Sequence, residues 1–198
     1  MAKRIITISR EFGSGGRFIG KEVAKQLGIA YYDKNMINEI AEKSGLSPEY
    51  IQENAELSPR KGLFAYAFSG RDITGKSVED MVYEAQRRVI LELVDKEPCV
   101  IIGRNADYIL KDRNDVLNVF ITAPDEDRIQ RIMETEDVTQ TQAEKLMVQI
   151  DKMRNNYYSY FTDRKWQHTK DRDIIVNSSL LGIEGTVGML EYIVNASN

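Results

Sequence analysis

Apolar positions along the chain follow two alternating rhythms. Short β-branched runs occupy residues 4–9, 29–32, 99–103, 116–122 and 173–176. Continuous apolar runs of this length, bounded by turn residues, read as strands buried on both faces. Between them lie stretches with helical spacing. Ile19, Val23, Ala24 and Leu27 form one apolar stripe, stopped by Gly28. Val82, Ala85, Val89 and Leu93 form another within a helix expected over Val78 to Asp95, with Ser77 in the capping position. Weaker helical signals run from Asn35 to Lys43 and from Pro48 to Glu56. Pro124 followed by Asp125, Glu126 and Asp127 opens the next helix, because proline and acids suit a first turn. A further helix starts near Thr139 and runs past Arg154, and a last one covers Ile183 to Val194.

Strands alternating with helices predict an α/β fold of three layers, with a five-stranded parallel sheet between helices and right-handed crossovers. Two segments interrupt the alternation and are expected to form lobes. Residues 35–76 carry Leu63 to Phe68 between glycines, and residues 134–172 are rich in Lys, Arg and Tyr. At 198 residues the expectation is one domain, residues 1–198, bearing both lobes. The aromatic run Leu63 to Phe68 either packs inside its lobe or forms a homodimer contact.

Composition narrows the chemistry. With 27 basic and 31 acidic residues the net charge is −4, which argues against a general nucleic-acid binder. One cysteine, Cys99, and one histidine, His168, exclude an intrachain disulfide and any Cys- or His-rich metal site. Cys99 opens an apolar run and reads as a buried strand residue, and His168 reads as a packed or surface residue. The apolar run after the basic Met1 to Arg4 is too short for a signal peptide, and none reaches the roughly 18 residues of a membrane span. The expectation is a cytoplasmic protein with no membrane partner.

The strongest local signal lies between the first strand and the first helix. Gly13, Ser14, Gly15 and Gly16 permit a concave turn of N–H groups opening onto a helix N-terminus, where phosphate is favoured. Arg17 directly after the last glycine would be the phosphate-reaching cation of a P-loop. That register leaves Glu11 at the first glycine position and Phe18 where a metal-ligating hydroxyl would stand. The competing reading is a glycine-rich turn with no ligand. A second signal is Gly103, Arg104 and Asp107 at the end of the third strand, where an arginine faces the crevice of an α/β sheet. A third is Asp151, Lys152 and Arg154 on one helical stretch, with Arg164 and Lys165 beyond. Taken alone, that stretch is a solvated charged helix. Together, a phosphate nest, a strand-end arginine and a basic lobe match what phosphoryl transfer needs, namely positioning and neutralisation of spreading charge.

The segments Ile5 to Arg17, Tyr31 to Asp33, Val100 to Arg104, Asp151 to Arg154 with Tyr157 and Tyr158, Trp166, and Ile175 to Ser179 resemble the cytidylate kinase-like family of P-loop proteins. That family is similar in turn to nucleoside monophosphate kinases. The resemblance implies a P-loop kinase fold with an acceptor lobe and a lid, ATP as donor, magnesium, and CMP or dCMP as the phosphorylated acceptor. It implies that Gly13, Ser14, Gly15, Gly16, Arg17 and the adjoining Phe18 hold the donor. Arg17, Lys152 and Arg154 would act on the transferring phosphate. Asp33, Arg104, Asp107, Asp151 and Arg164 would serve the acceptor, although Asn105 and Ala106 here separate the arginine from its acid. No residue is identified as a metal ligand. The departures at Arg17 and Phe18 keep two alternatives open: a kinase for another small acceptor, and a catalytically silent nucleotide-binding module.

Overall fold

The computed structural model describes residues 3–33 and 78–197. In chain order these form β1 (Ile5–Arg10), α1 (Gly16–Leu27), β2 (Ala30–Tyr32), α2 (Val78–Lys96), β3 (Cys99–Ile102), α3 (Ala106–Ile109) and β4 (Val116–Thr122). They continue with α4 (Asp125–Glu136), α5 (Gln140–Thr162), a 3₁₀ turn (Thr169–Asp171), β5 (Ile174–Asn177) and α6 (Ser178–Ala196). The expected lobe at 35–76, with its two helical stretches and the Leu63 to Phe68 run, lies outside the described residues.

All five strands pair in parallel in the order β2-β3-β1-β4-β5. The expected three-layer α/β architecture is therefore the observed one. β1 lies at the centre, with Ile5 beside both Cys99 and Val116. Its Ile5, Ile6 and Ile8 are wholly buried, as are Val100, Ile101, Val119 and Ile121 on its neighbours. At about 1.5–3 kcal/mol per fully buried aliphatic side chain, these strands make a rigid frame. One core lies between the sheet and α2 with α3, and the other between the sheet and α1 with α6. The strand order reverses around β1, which opens a crevice at the carboxyl ends of β1 and its neighbours.

The segment expected as a lid is docked on the body. Thr139 and Gln142 form a capping box that starts α5, next to the expected start near Thr139. The first half of α5 packs on α4 through Ile132, Ala143 and Met147. Its second half brings Tyr158 against Phe120 of the sheet, beside Trp166. The final helix starts five residues before its expected beginning at Ile183, and Gly182 (φ 69°, ψ 176°) kinks it there, which is why only its second part showed a helical period.

Candidate active site

β1 delivers the chain to the nest. Gly13 and Gly15 both have φ 78°, while Ser14 between them stays out of the left-handed region, and α1 begins at Gly16. This alternation turns successive N–H groups toward one side. Ser14 ties the turn back on itself, donating from its amide (3.3 Å) and its hydroxyl (2.9 Å) to the Glu11 carbonyl. Ser178 Oγ donates to the Ser14 carbonyl at 2.7 Å.

Arginines from the later helices hold the carbonyl side of the same loop. Arg154 donates to the Arg10 carbonyl at 2.9 Å, Arg128 Nε to that of Phe12 at 2.7 Å, and Arg131 to that of Gly13 at 3.2 Å. With these carbonyls engaged, the amides of Gly13 and Gly15 take no hydrogen bond among the described residues. Asp151 reaches in from α5, accepting from the Phe12 amide at 2.8 Å and pairing with Arg128. Burial raises its carboxyl above the usual range, while the Phe12 amide and the charges of Arg128 and Arg154 act the other way. Glu11 accepts from Thr122 Oγ1 and, at 3.0 Å, from Gln167.

The sequence-predicted residues divide into two groups. Arg17 extends to the end of β2, where its Nε pairs with Asp33 at 2.7 Å. The residue expected at the donor and one expected at the acceptor therefore bind each other. Phe18 is exposed, and so is Lys152. Arg164 pairs with Asp171 at 2.9 Å and lies over the Tyr108 ring. Asp107 is buried, accepting from Tyr158 Oη at 2.7 Å and pairing with the equally buried Arg172 at 2.6 Å.

Arg104 and Arg154 do come together, in a cleft at the carboxyl ends of β1 and β3. The backbone there is unusual. Gly103, Arg104 and Asn105 are all left-handed, with φ of 68°, 58° and 53°. Such a run is held only by its surroundings. Buried Gln86 supplies part of the hold, donating to the Arg104 carbonyl at 2.5 Å and accepting from Tyr157 Oη at 3.2 Å. Asn105 Nδ2 is buried without a hydrogen-bond partner among the described residues.

The same cleft contains a residue that the strand pattern concealed. Arg10 lines it together with Arg104 and Arg154, and the described lining includes no carboxylate. By alternation along β1, Arg10 lies on the face of Ile6 and Ile8, toward α1.

As for magnesium, among the described residues no group of three or more His, Cys, Asp or Glu side chains is placed to hold a metal ion. Glu11 is the only acid in the nest loop, and it is occupied by Thr122 and Gln167. The one carboxylate of the nest loop is thus already engaged by other side chains.

A model of the cytidylate kinase-like family matches residues 5–180. The chain belongs to the cytidylate kinase-like family. Among curated proteins, none matches its sequence. A solved structure of an uncharacterized protein from Eubacterium ventriosum is similar at 25% identity and TM-score 0.74, covering 96% of this chain and 98% of that one. Shikimate kinase from Bacteroides thetaiotaomicron shares the fold at 17% identity and TM-score 0.55, over 96% of this chain and 98% of its own. Shikimate kinase from Acinetobacter baumannii, solved in complex with shikimate, does so at 17% identity and TM-score 0.53, over 97% and 93%. The cytidylate kinase-like chain thus has a P-loop kinase fold, and family and fold together support phosphoryl transfer of the nucleotide-kinase kind. No helix among the described residues is long and apolar enough to cross a membrane.

Proposed function

We propose that this chain transfers the γ-phosphoryl group of ATP to a nucleoside monophosphate, with CMP or dCMP the best acceptor. The observation that carries the reading is the glycine nest opening beside a cleft with three arginines and no carboxylate in its described lining. A nucleoside monophosphate carries about two negative charges near neutral pH, and a triphosphate carries more. Two such anions meet only where fixed cations offset their repulsion. The nest amides and the N-terminus of α1 hold the donor's phosphates. Arg104 and Arg154 neutralise the acceptor's phosphate, and the buried Asn105 amide donates to it. In the transfer, the bond from the γ-phosphorus to its bridging oxygen breaks, a bond to an acceptor phosphate oxygen forms, and ADP and a nucleoside diphosphate leave. Magnesium, when present, would be held by the nucleotide's phosphates and would offset their charge.

The test is ADP release from magnesium and ATP against a panel of ribo- and deoxyribonucleoside monophosphates, with small non-nucleotide acceptors alongside. Selective turnover of CMP or dCMP supports the reading, and a non-nucleotide acceptor outpacing every monophosphate replaces it. A second reading, a nucleotide-binding module without catalysis, is favoured by the Arg17–Asp33 pair, which draws the expected catalytic cation away from the nest. Tight ATP binding with no acceptor turned over would establish that reading instead.

A further inference from the structure

We infer that Arg10 supplies the cation for the transferring phosphoryl group, in place of the residue that follows the glycines. This inference rests on the kinase reading and adds a residue to it. In a P-loop the cation stands at the start of the helix, directly after the last glycine. Here the first helical position is Gly16, which has no side chain, and the next residue, Arg17, is bound to Asp33. The charge therefore has to come from another element.

Two glycines clear a path for it. A Cβ built on Gly16 would lie 2.6 Å from Arg10 Cβ and 3.0 Å from its Cγ. The stem of Arg10 thus lies directly on the first turn of α1, at the mouth of the nest. A Cβ on Gly103 would collide with the Arg10 guanidinium, so the other end of the side chain rests at the end of β3. Arg10 accordingly runs from the donor side to the cleft that holds Arg104 and Arg154. Its backbone is fixed as well, because its carbonyl accepts from Arg154 at 2.9 Å. The contact at Gly16 involves the Arg10 Cβ, which cannot swing aside as the tip of a flexible chain could. An arginine in this position can present two parallel N–H groups to two phosphate oxygens, whereas an ammonium presents a point charge.

The experiment compares the wild-type chain with Arg10→Ala, Arg10→Lys and Arg17→Ala, each checked for folding by circular dichroism. Turnover with the best acceptor gives kcat, and calorimetry with ATP gives Kd. Arg10→Ala is expected to lower kcat by about 100- to 1000-fold, as removal of a charge-stabilising donor does, and to raise the ATP Kd at least five-fold. Arg10→Lys keeps the charge and should recover at least a factor of ten of the lost kcat, which a purely structural arginine would not show. Gly16→Ala, tolerable to a helix, should reproduce the kcat loss by displacing the Arg10 stem. Arg10→Ala with kcat within three-fold of wild type overturns the inference, as does a loss that follows Arg17→Ala and not Arg10→Ala. If the wild type turns over no acceptor, the kinase reading fails and calorimetry decides for Arg10. A five-fold weaker ATP Kd in Arg10→Ala retains it as a phosphate-binding cation, and an unchanged Kd removes it.

Discussion

The pair formed by Asp107 and Arg172 decides whether Asp107 belongs to the framework or to the acceptor site. Their side chains are only 3% and 1% exposed, and they meet at 2.6 Å. Asp107→Asn keeps the shape and an oxygen for Tyr158 Oη, but it removes the charge opposite Arg172. The guanidinium would keep the Trp166 carbonyl at 3.2 Å and the faces of Phe120 and Tyr158, which it already has. None of these is new, so nothing offsets the lost partner. Breaking a buried pair on one side costs about 3–5 kcal/mol. For a chain of this size each kcal/mol moves the melting midpoint by roughly 2–4 °C, so the midpoint should fall by about 6–20 °C. Arg172→Met leaves the opposite charge stranded and should cost a similar amount. The double variant removes both charges, and its loss should be smaller than the sum of the singles by at least about 2 kcal/mol. Thermal and urea denaturation of the four proteins measures this cycle. Additive losses, or an unchanged midpoint in Asp107→Asn joined to a raised acceptor KM, would refute the framework role and return Asp107 to the acceptor.

Three further predictions rest on separate features. Burial pushes the Cys99 thiol up to about 12, so at pH 8 the folded protein should not react with a disulfide reagent, while urea-unfolded protein should react within minutes. Gly13→Ala places a Cβ 2.6 Å from the Arg128 carbonyl at a φ of +78°, and calorimetry should show ATP binding weakened at least ten-fold in protein that still folds. Because burial raises the Asp151 carboxyl in the folded state, the fold binds its proton more tightly than the unfolded chain does. Its contribution is therefore largest at low pH and declines as pH rises from the ordinary 3.8 through the raised value, so Asp151→Asn should flatten urea-derived stability across that window.

Which parts of this molecule were legible in its residues follows from the range of the interactions. Strands such as β1 and β3 declare themselves because burial on both faces demands unbroken apolar runs, and a window of six residues contains the whole cause. The nest is legible for the same reason, since left-handed turns at Gly13 and Gly15 need glycine at those very positions. The four-residue α3 is too short to show any period. Partner choice is a different matter. Arg17 stands after three glycines and looks like a phosphate ligand, yet its carboxylate arrives from β2, and nothing local announces it. Asp107 and Arg172 resemble two surface charges until α3 and the end of the 3₁₀ turn bring them together out of water.

Arg10 is the sharpest case, because its signal is the absence of a side chain elsewhere. Glycine at 16 reads as part of the nest, and glycine at 103 as a turn. Only the fold shows that both leave room for one arginine between the ends of β1 and β3. The charge that a P-loop ordinarily carries on its helix can then come from the strand, which changes how the departures in this loop are read. Glu11 does not mark a degraded phosphate site, since Thr122, Gln167 and Arg128 use it to set the loop's shape. Arg17 likewise has a partner of its own, Asp33 just beyond the end of β2. An irregular motif joined to a loop whose carbonyls are held by Arg128, Arg131 and Arg154 is what relocation of a function predicts. A decayed site would show its loop groups buried without partners, yet the buried Ser14 has both its hydroxyl and its carbonyl hydrogen-bonded.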